Sequence, residues 1–204
     1  MRISLLRHGK TMQDGIYRGH TDVALTSHGL AQMQQAYADF SLPVDYLVSS
    51  QLQRCAKFSE LIAPQEQLDE RFQEMSFGDW DGKSRAEIWQ AQPEAVSAFW
   101  SDPMASSAPN GETVLQLQTR AMVALHEHVK CAIAQKREHM LIVTHGGVIR
   151  AILGAVLHMG PKGLFNLNLP YGSVVRLHVA CFEDEDAKPD YQLSLDFAAQ
   201  QDFV

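Results

Sequence analysis

Strand-like apolar runs alternate with helix-like segments along most of the chain, and few folds accommodate that order. The runs are short and rich in Leu, Ile and Val, and they lie at residues 2–6, 45–48 and 140–144. The segments between them have apolar residues at helical spacing and lie at residues 27–40, 52–62 and 113–134. This alternation predicts a layered α/β fold with a mainly parallel sheet.

The last part of the chain predicts an antiparallel edge for that sheet. Residues 174–179 alternate as a half-buried strand does, and residues 192–197 are placed to pair with them across the acidic turn 183–186. A chain of 204 residues is long enough for one α/β domain and short for two. We therefore expect one domain that spans residues 1–204.

One segment, residues 101–111, is predicted to be a loop. It contains two prolines, an Asn-Gly pair and several serines and alanines. A loop of this length in a compact domain is either a lid or binding element, or a plain surface excursion. The sequence leaves both interpretations open.

Charge and hydropathy argue against two classes of partner. Lys and Arg total 17 against 24 Asp and Glu, which gives a net charge of −7 and disfavours nucleic-acid binding. No apolar run approaches the roughly 18 residues that cross a bilayer, so we expect no membrane partner. The first apolar run stops at Arg7, too early for a secretory signal, and we expect a cytoplasmic location.

The cysteines and tryptophans are predicted to be buried. The cysteines are odd in number and form no C-x-x-C pair. We therefore expect each to be a small, buried, apolar side chain, and they are Cys55, Cys131 and Cys181. The tryptophans are expected in the core, with stacking in a substrate cleft as the alternative, and they are Trp80, Trp89 and Trp100.

Two histidines stand where predicted strands end. Arg7 and His8 follow the first strand, and His145 follows the strand 140–144 and is itself followed by Gly146. Ligands of parallel sheets bind outside the carboxyl ends of the strands, so both histidines are expected to face one crevice. Glycine leaves room for an anion to approach the backbone, which makes Gly146 a candidate for substrate binding.

Arg54 lies in the first turn of the helix that follows the strand 45–48. A helix N-terminus favours anions, and a guanidinium group adds a bidentate fork for phosphoryl oxygens. Like Arg54, Arg7 and His145 lie at the carboxyl ends of predicted strands. The pattern predicts that these three side chains surround one tetrahedral dianion.

This arrangement suits covalent catalysis of phosphoryl transfer. A neutral imidazole attacks phosphorus, and fixed positive groups hold the other oxygens. The acid for the leaving alcohol is predicted to be Glu74, which has apolar and aromatic neighbours in sequence. Asp79 and Asp81 are rivals that we interpret as turn residues.

Four segments resemble, in order, the signature motifs of the histidine phosphatase superfamily, which includes the cofactor-dependent phosphoglycerate mutases. They begin with Leu-Arg-His-Gly-Lys-Thr and lie at residues 6–11, 49–54, 74–78 and 144–147. The resemblance implies a three-layer α/β/α sandwich and a phosphohistidine intermediate. It implies His8 as nucleophile, Glu74 as proton donor, and a phosphate pocket formed by Arg7, Arg54 and His145.

A finer resemblance, at residues 17–26, 77–82 and 110–112, is to the alpha-ribazole phosphatase branch of that superfamily. It implies alpha-ribazole 5′-phosphate as substrate, with Arg18 and Gly19 beside it and the Gly19 N–H on the phosphate. Lys10 departs from the family pattern, which has Glu or Gln there. The mutases carry a longer basic insertion after the glutamate motif, so its absence implies transfer to water.

The sequence predicts a phosphatase of small phosphate monoesters, and several other functions are alternatives. His126 and His128 are two residues apart, whereas a zinc-binding helix pair is four apart, so we interpret them as a solvated face and predict no metal and no cofactor. A broad-specificity histidine phosphatase, a phosphoglycerate mutase and a non-catalytic phospho-ligand module remain alternatives. Three further residues are predicted to have structural roles. Glu112 is a carboxylate at the start of a helix, and Arg120 and Arg150 are ion-pair partners within helices.

Overall fold

The computed structural model describes residues 1–63, 67–183 and 189–197. The strands are, in chain order, β1 (Arg2–Arg7), β2 (Tyr46–Ser49), β3 (Gln67–Leu68), β4 (His139–Thr144), β5 (Val174–Glu183) and β6 (Pro189–Leu195). The helices are α1 (Ser27–Ala38), α2 (Gln53–Ile62), α3 (Arg85–Ala91), α4 (Pro93–Ser101), α5 (Val114–Ala134), α6 (Gly146–Val156) and α7 (Pro161–Leu164).

The strands form one sheet in the order β3-β2-β4-β1-β5-β6. The first four of these are parallel, and β5 and β6 are antiparallel to their neighbours. The predicted α/β fold with a mainly parallel sheet and an antiparallel edge is therefore confirmed. The acidic turn expected between the edge strands falls largely on residues 184–188, outside the described part of the chain.

Helices cover both faces of the sheet. Successive side chains of a strand point to opposite faces, and the apolar side chains on each face pack against helices. On β1, Ile3 and Leu5 pack into a core with α5 and α6, whereas Leu6 packs into a second core with residues of α1 and α2. On β4, Ile142 belongs to the first core and Val143 to the second. This division gives the α/β/α layers.

Two of the three predicted helices, α1 and α5, begin where polar side chains cap them. The Thr26 hydroxyl accepts the Gly29 N–H at the start of α1. At the start of α5, Thr113 and Gln116 form a reciprocal capping box. Among the described residues, no helix is both long enough and apolar enough to cross a bilayer.

Several predictions of burial are wrong. Trp80 is fully buried as expected, but Trp89 and Trp100 are 54% and 46% exposed. Cys55 is buried, whereas Cys131 and Cys181 are exposed. The reason is position: Cys131 lies on the outer face of α5, and Cys181 lies near the end of β5, beyond the last residue that pairs with β1.

The segment after α4 is a loop, as predicted, and it is fastened to the chain around Glu74. The Asp79 N–H donates to the Pro109 carbonyl at 2.8 Å, and the Glu112 N–H donates to the Ser76 carbonyl at 3.0 Å. The loop therefore supports the segment that follows Glu74.

Candidate active site

The two histidines predicted at strand ends lie side by side. Strands β1 and β4 are parallel neighbours, and their last residues, Arg7 and Thr144, lie opposite each other. His8 follows β1 and His145 follows β4, so the two histidines lie at the same edge of the sheet. Their ring centroids are 5.2 Å apart in an edge-on arrangement. The crevice expected from the sequence is formed by these elements.

The environment of His8 fixes its protonation and its tautomer. Its Nδ1 lies 2.8 Å from the Gly9 carbonyl oxygen, which can only accept a hydrogen bond. Nδ1 therefore carries the hydrogen, and the lone pair is on Nε2. Burial and then the positive charge of Arg54 lower the pKa of His8 well below its usual value, so the imidazole is neutral at pH 7.

Arg54 and His145 form a fully buried pair directly behind His8. The Arg54 Nε donates to His145 Nδ1 at 3.2 Å, so His145 carries its hydrogen on Nε2 and donates it to the Ser50 hydroxyl at 2.8 Å. Arg54 also donates to the carbonyls of Gly19 and Thr21, at 2.7 and 2.9 Å. Burial and then Arg54 lower the pKa of His145 well below its usual value.

A polar cavity of about 260 Å³ opens in front of His8. It is large enough for a phosphate group and is lined by positive side chains, which favour a dianion. The site residues among its lining are Arg7, His8, Arg18, Glu74, Arg150 and Tyr171. Burial lowers the pKa of the Arg7, Arg54 and Arg150 guanidinium groups, and the Glu74 carboxylate opposes this at all three.

Tyr171 contacts three site residues and was not found from the sequence. Its ring lies 4.3 Å from the Arg7 guanidinium carbon and 5.6 Å from the His8 ring centroid. Its hydroxyl accepts a hydrogen bond from Arg18 Nη1 at 3.2 Å. The only local signal is a tyrosine in a Pro-Tyr-Gly loop before β5, which indicates a turn and not a ligand site.

Glu74 is held where the cavity meets helix α6. Its carboxylate accepts the N–H groups of Met75 at 3.0 Å and of Gly147 at 3.2 Å. A Cβ on Gly147 would lie 2.2 Å from Glu74 Oε1, so only glycine permits this approach. Gly146, beside it, likewise leaves room for Arg7, whose Nε would lie 3.2 Å from an added Cβ.

Glu112 and Arg120 position the Glu74 segment from behind. Arg120 donates to Glu112 and to the carbonyls of Arg71, Gln73 and Glu74. Glu112 also accepts the Ser76 N–H at 2.7 Å. The structural role predicted for Arg120 is confirmed. Glu112, predicted at the helix start, lies one residue before the N-cap Thr113 of α5 and holds the Glu74 segment instead.

Two sequence expectations about this region are wrong. The Gly19 N–H does not face the cavity, because it donates to Asp81 at 3.1 Å, and the same carboxylate accepts the Thr21 N–H at 3.2 Å. Asp81 is thus a loop-holding residue, as its turn position indicated. Arg150 donates to the Leu167 carbonyl at 3.0 Å instead of to a carboxylate and lines the cavity.

The histidine pair on α5 also differs from expectation. His126 is exposed and lies beside Tyr191. His128 is 12% exposed, and its ring nitrogens contact Asp69 and Tyr46 at 3.0 Å each. A solvated face is therefore the correct interpretation for His126 only.

The fold and the paired histidines define a class, and comparison with known proteins identifies it. The chain belongs to the histidine phosphatase superfamily (branch 1), whose family model matches residues 3–184. It is 28% identical over 182 residues to the adenosylcobalamin/alpha-ribazole phosphatase of Escherichia coli strain K12, covering 84% of this chain and 87% of that protein. The family and the phosphatases among its relatives identify the chain as a phosphoric monoester hydrolase.

Two further relatives bear on substrate and fold. The metal-independent phosphoserine phosphatase of Arabidopsis thaliana is 33% identical over 161 residues, which cover 74% of this chain and 66% of that protein. The crystal structure of the alpha-ribazole phosphatase from Shigella flexneri superposes with a TM-score of 0.78 at 24% identity, covering 96% of this chain and 95% of that one. This second likeness supports the fold.

Proposed function

We propose that the chain hydrolyses a phosphate monoester through a phosphohistidine on His8, without a metal ion. The observation that carries the proposal is the neutral His8 imidazole, whose lone pair is on Nε2 at the wall of a cavity lined by guanidinium groups. A neutral imidazole is a competent nucleophile, and an arginine-lined cavity binds the group it attacks.

The reaction has two displacements. His8 Nε2 forms a bond to phosphorus as the bond from phosphorus to the ester oxygen breaks, and Glu74 gives that oxygen a proton. Glu74, now ionised, then removes a proton from water as the water oxygen attacks the phosphohistidine. The phosphorus–nitrogen bond breaks, and phosphate and the neutral imidazole are restored.

Arg7 and Arg54 are proposed to bind the transferred phosphoryl group. His145, predicted as the third member of the phosphate pocket, has both ring nitrogens occupied by Arg54 and Ser50 and is proposed to position Arg54. Arg54 uses three of the five N–H donors of a guanidinium group on Gly19, Thr21 and His145, which leaves two for phosphoryl oxygens. The guanidinium groups of Arg7 and Arg54 supply the charge that a metal ion supplies in other phosphatases. We expect activity to survive EDTA, and loss on chelation with rescue by a divalent ion would contradict this.

The proposed substrate is alpha-ribazole 5′-phosphate. The support is the sequence resemblance around Arg18 and the similarity to the adenosylcobalamin/alpha-ribazole phosphatase of E. coli. A phosphoserine phosphatase among the relatives makes phosphoserine the sharpest competitor. Comparing kcat/KM on alpha-ribazole 5′-phosphate, phosphoserine and 3-phosphoglycerate tests this; a preference for phosphoglycerate with mutase product would contradict it.

The decisive test of mechanism is His8→Ala beside His178→Ala. His178 is an exposed histidine paired with Arg2, at the opposite end of β1. We expect His8→Ala to abolish hydrolysis of p-nitrophenyl phosphate and His178→Ala to retain it. Quenching without acid should trap phosphate on wild-type His8, and equal rates in the two variants would end the proposal.

A further inference from the structure

We propose that the substrate's leaving alcohol carries an apolar, ring-sized group, and that this group occupies a second cavity on the far side of Glu74. The inference rests on the proposed function, because it assigns Glu74 as the acid. It adds a binding site for the part of the substrate that is not phosphate.

The second cavity adjoins the phosphate cavity. It has a volume of about 140 Å³, and its lining includes Glu74, Phe77, Trp100 and Arg150, the four residues that also line the cavity in front of His8. The two spaces therefore meet at one carboxylate. A single molecule can occupy both.

The position of Glu74 fixes which part of the substrate enters the second cavity. A general acid must lie within hydrogen-bond reach of the ester oxygen that it protonates. The carbon skeleton of the alcohol begins at that oxygen and extends away from phosphorus. The second cavity also borders Glu74, so it is within reach of a group that extends from that oxygen.

The lining of the second cavity selects apolar chemistry. Its inner wall consists of buried side chains, among them Phe99, Leu117 and Leu164, which are at most 2% exposed. An apolar cavity of about 150 Å³ in a protein binds benzene, so this volume suits one ring. A carboxylate placed against this inner wall would lose water, and the one cation among the described lining residues, Arg150, lies at the junction with the phosphate cavity and not on this wall.

The mouth of the second cavity is aromatic and exposed. Trp100 and Phe165 meet edge to face with centroids 5.2 Å apart, and they are 46% and 42% exposed. Both line the cavity. A ligand ring at this position would cover the apolar surface of both side chains. Ring-to-ring contacts would then add to the binding free energy gained from burial alone.

The test uses two esters of alcohols with similar acidity, benzyl phosphate and ethyl phosphate. Their chemistry at phosphorus is alike, so the ratio of their kcat/KM values reports the second cavity. We expect the wild type to prefer benzyl phosphate by roughly 10- to 100-fold, the range that burial of one ring supports. Phosphoserine should be a poorer substrate than benzyl phosphate.

Three variants and one control locate that preference. Trp100→Ala and Phe165→Ala remove exposed rim residues, and each should lower the benzyl-to-ethyl ratio by about three- to tenfold. Ala151→Leu fills the cavity from its wall and should lower the ratio further. Trp89→Ala removes a tryptophan of similar exposure that does not line the cavity, and it should leave the ratio unchanged.

The outcomes separate this inference from the proposed function. If both esters are hydrolysed through His8 with equal kcat/KM, or if the preference survives in Trp100→Ala and Phe165→Ala, the second site is wrong and the phosphatase chemistry stands. A higher kcat/KM on phosphoserine also overturns the inference. If wild type hydrolyses neither ester and no phosphate is trapped on His8, the proposed function fails and the inference fails with it.

Discussion

The proposed chemistry depends, at the scale of single residues, on which nitrogen of His8 holds a hydrogen. The Gly9 carbonyl settles this, and burial beside Arg54 keeps the ring neutral. The nucleophile therefore needs no general base to activate it. What it needs is an acid for the leaving group, which is the role proposed for Glu74.

Glu74→Gln should separate esters by leaving group. Glutamine keeps the shape of the side chain but has no proton to give, so turnover of an alkyl ester should fall by roughly 10²- to 10⁴-fold. p-Nitrophenolate scarcely needs a proton, and its ester should lose less than about tenfold. Steady-state kcat on the two substrates measures this, with Glu94→Gln on the exposed face of α4 as control. Equal losses on both esters would point to another acid.

Tyr171 should act as a positioning residue for Arg7 and Arg18. Tyr171→Phe keeps the ring against Arg7 and His8 but removes the hydroxyl contact with Arg18, so we expect KM to rise about threefold with kcat retained. Tyr171→Leu also removes the cation–π contact and should lower kcat/KM by about tenfold or more. Tyr37→Phe, on α1, is the control. A Tyr171→Phe enzyme impaired as severely as Tyr171→Leu would contradict this division.

At the scale of elements, the start of α6 decides where the Glu74 carboxylate lies. Gly147→Ala would place a Cβ 2.2 Å from Glu74 Oε1, so the carboxylate must move. We expect a loss of alkyl-ester turnover of about tenfold or more, with a smaller loss on p-nitrophenyl phosphate. Gly160→Ala is the matched control, because its added Cβ meets nothing within 4 Å. Full activity of Gly147→Ala on both esters would contradict the assigned contact.

The elements that sequence reasoning found are those with a strong apolar period. The buried strand predicted at 140–144 is observed as His139–Thr144, and the helix predicted at 113–134 is observed as Val114–Ala134. The two-residue strand Gln67–Leu68 was missed because both of its residues are exposed and give no pattern. The short helix Arg85–Ala91 was missed because only Ile88 on it is buried.

The site was predictable at the strand ends and not beyond them. His8, His145 and Arg54 each follow a buried strand, so their convergence follows from a parallel sheet. The contact that occupies the Gly19 N–H comes from Asp81, 62 residues away, and no local pattern reports it.

At the scale of the whole molecule, the two buried histidines tie stability to pH. The folded-state pKa values of His8 and His145 are well below the unfolded value of about 6.5, chiefly through burial. Above pH 6.5 both rings are neutral in both states. Below it, the unfolded chain takes up protons that the folded chain does not, so the free energy of unfolding falls as the pH falls.

We therefore expect the free energy of unfolding to fall by about 2 kcal/mol between pH 6.5 and pH 5.5 from these two rings together. His139, whose pKa is also lowered by burial, adds to the fall. Urea unfolding across this range measures it, and His145→Gln should flatten the slope where His178→Gln does not. Asp69 has its pKa lowered to about 2, so its contribution is lost only at lower pH, as the carboxylate protonates, and does not confuse the result. A stability that stays constant from pH 7 to pH 5.5 would mean that the rings take up protons as readily in the folded protein as in the unfolded chain, which would contradict the lowered pKa of His8 and His145.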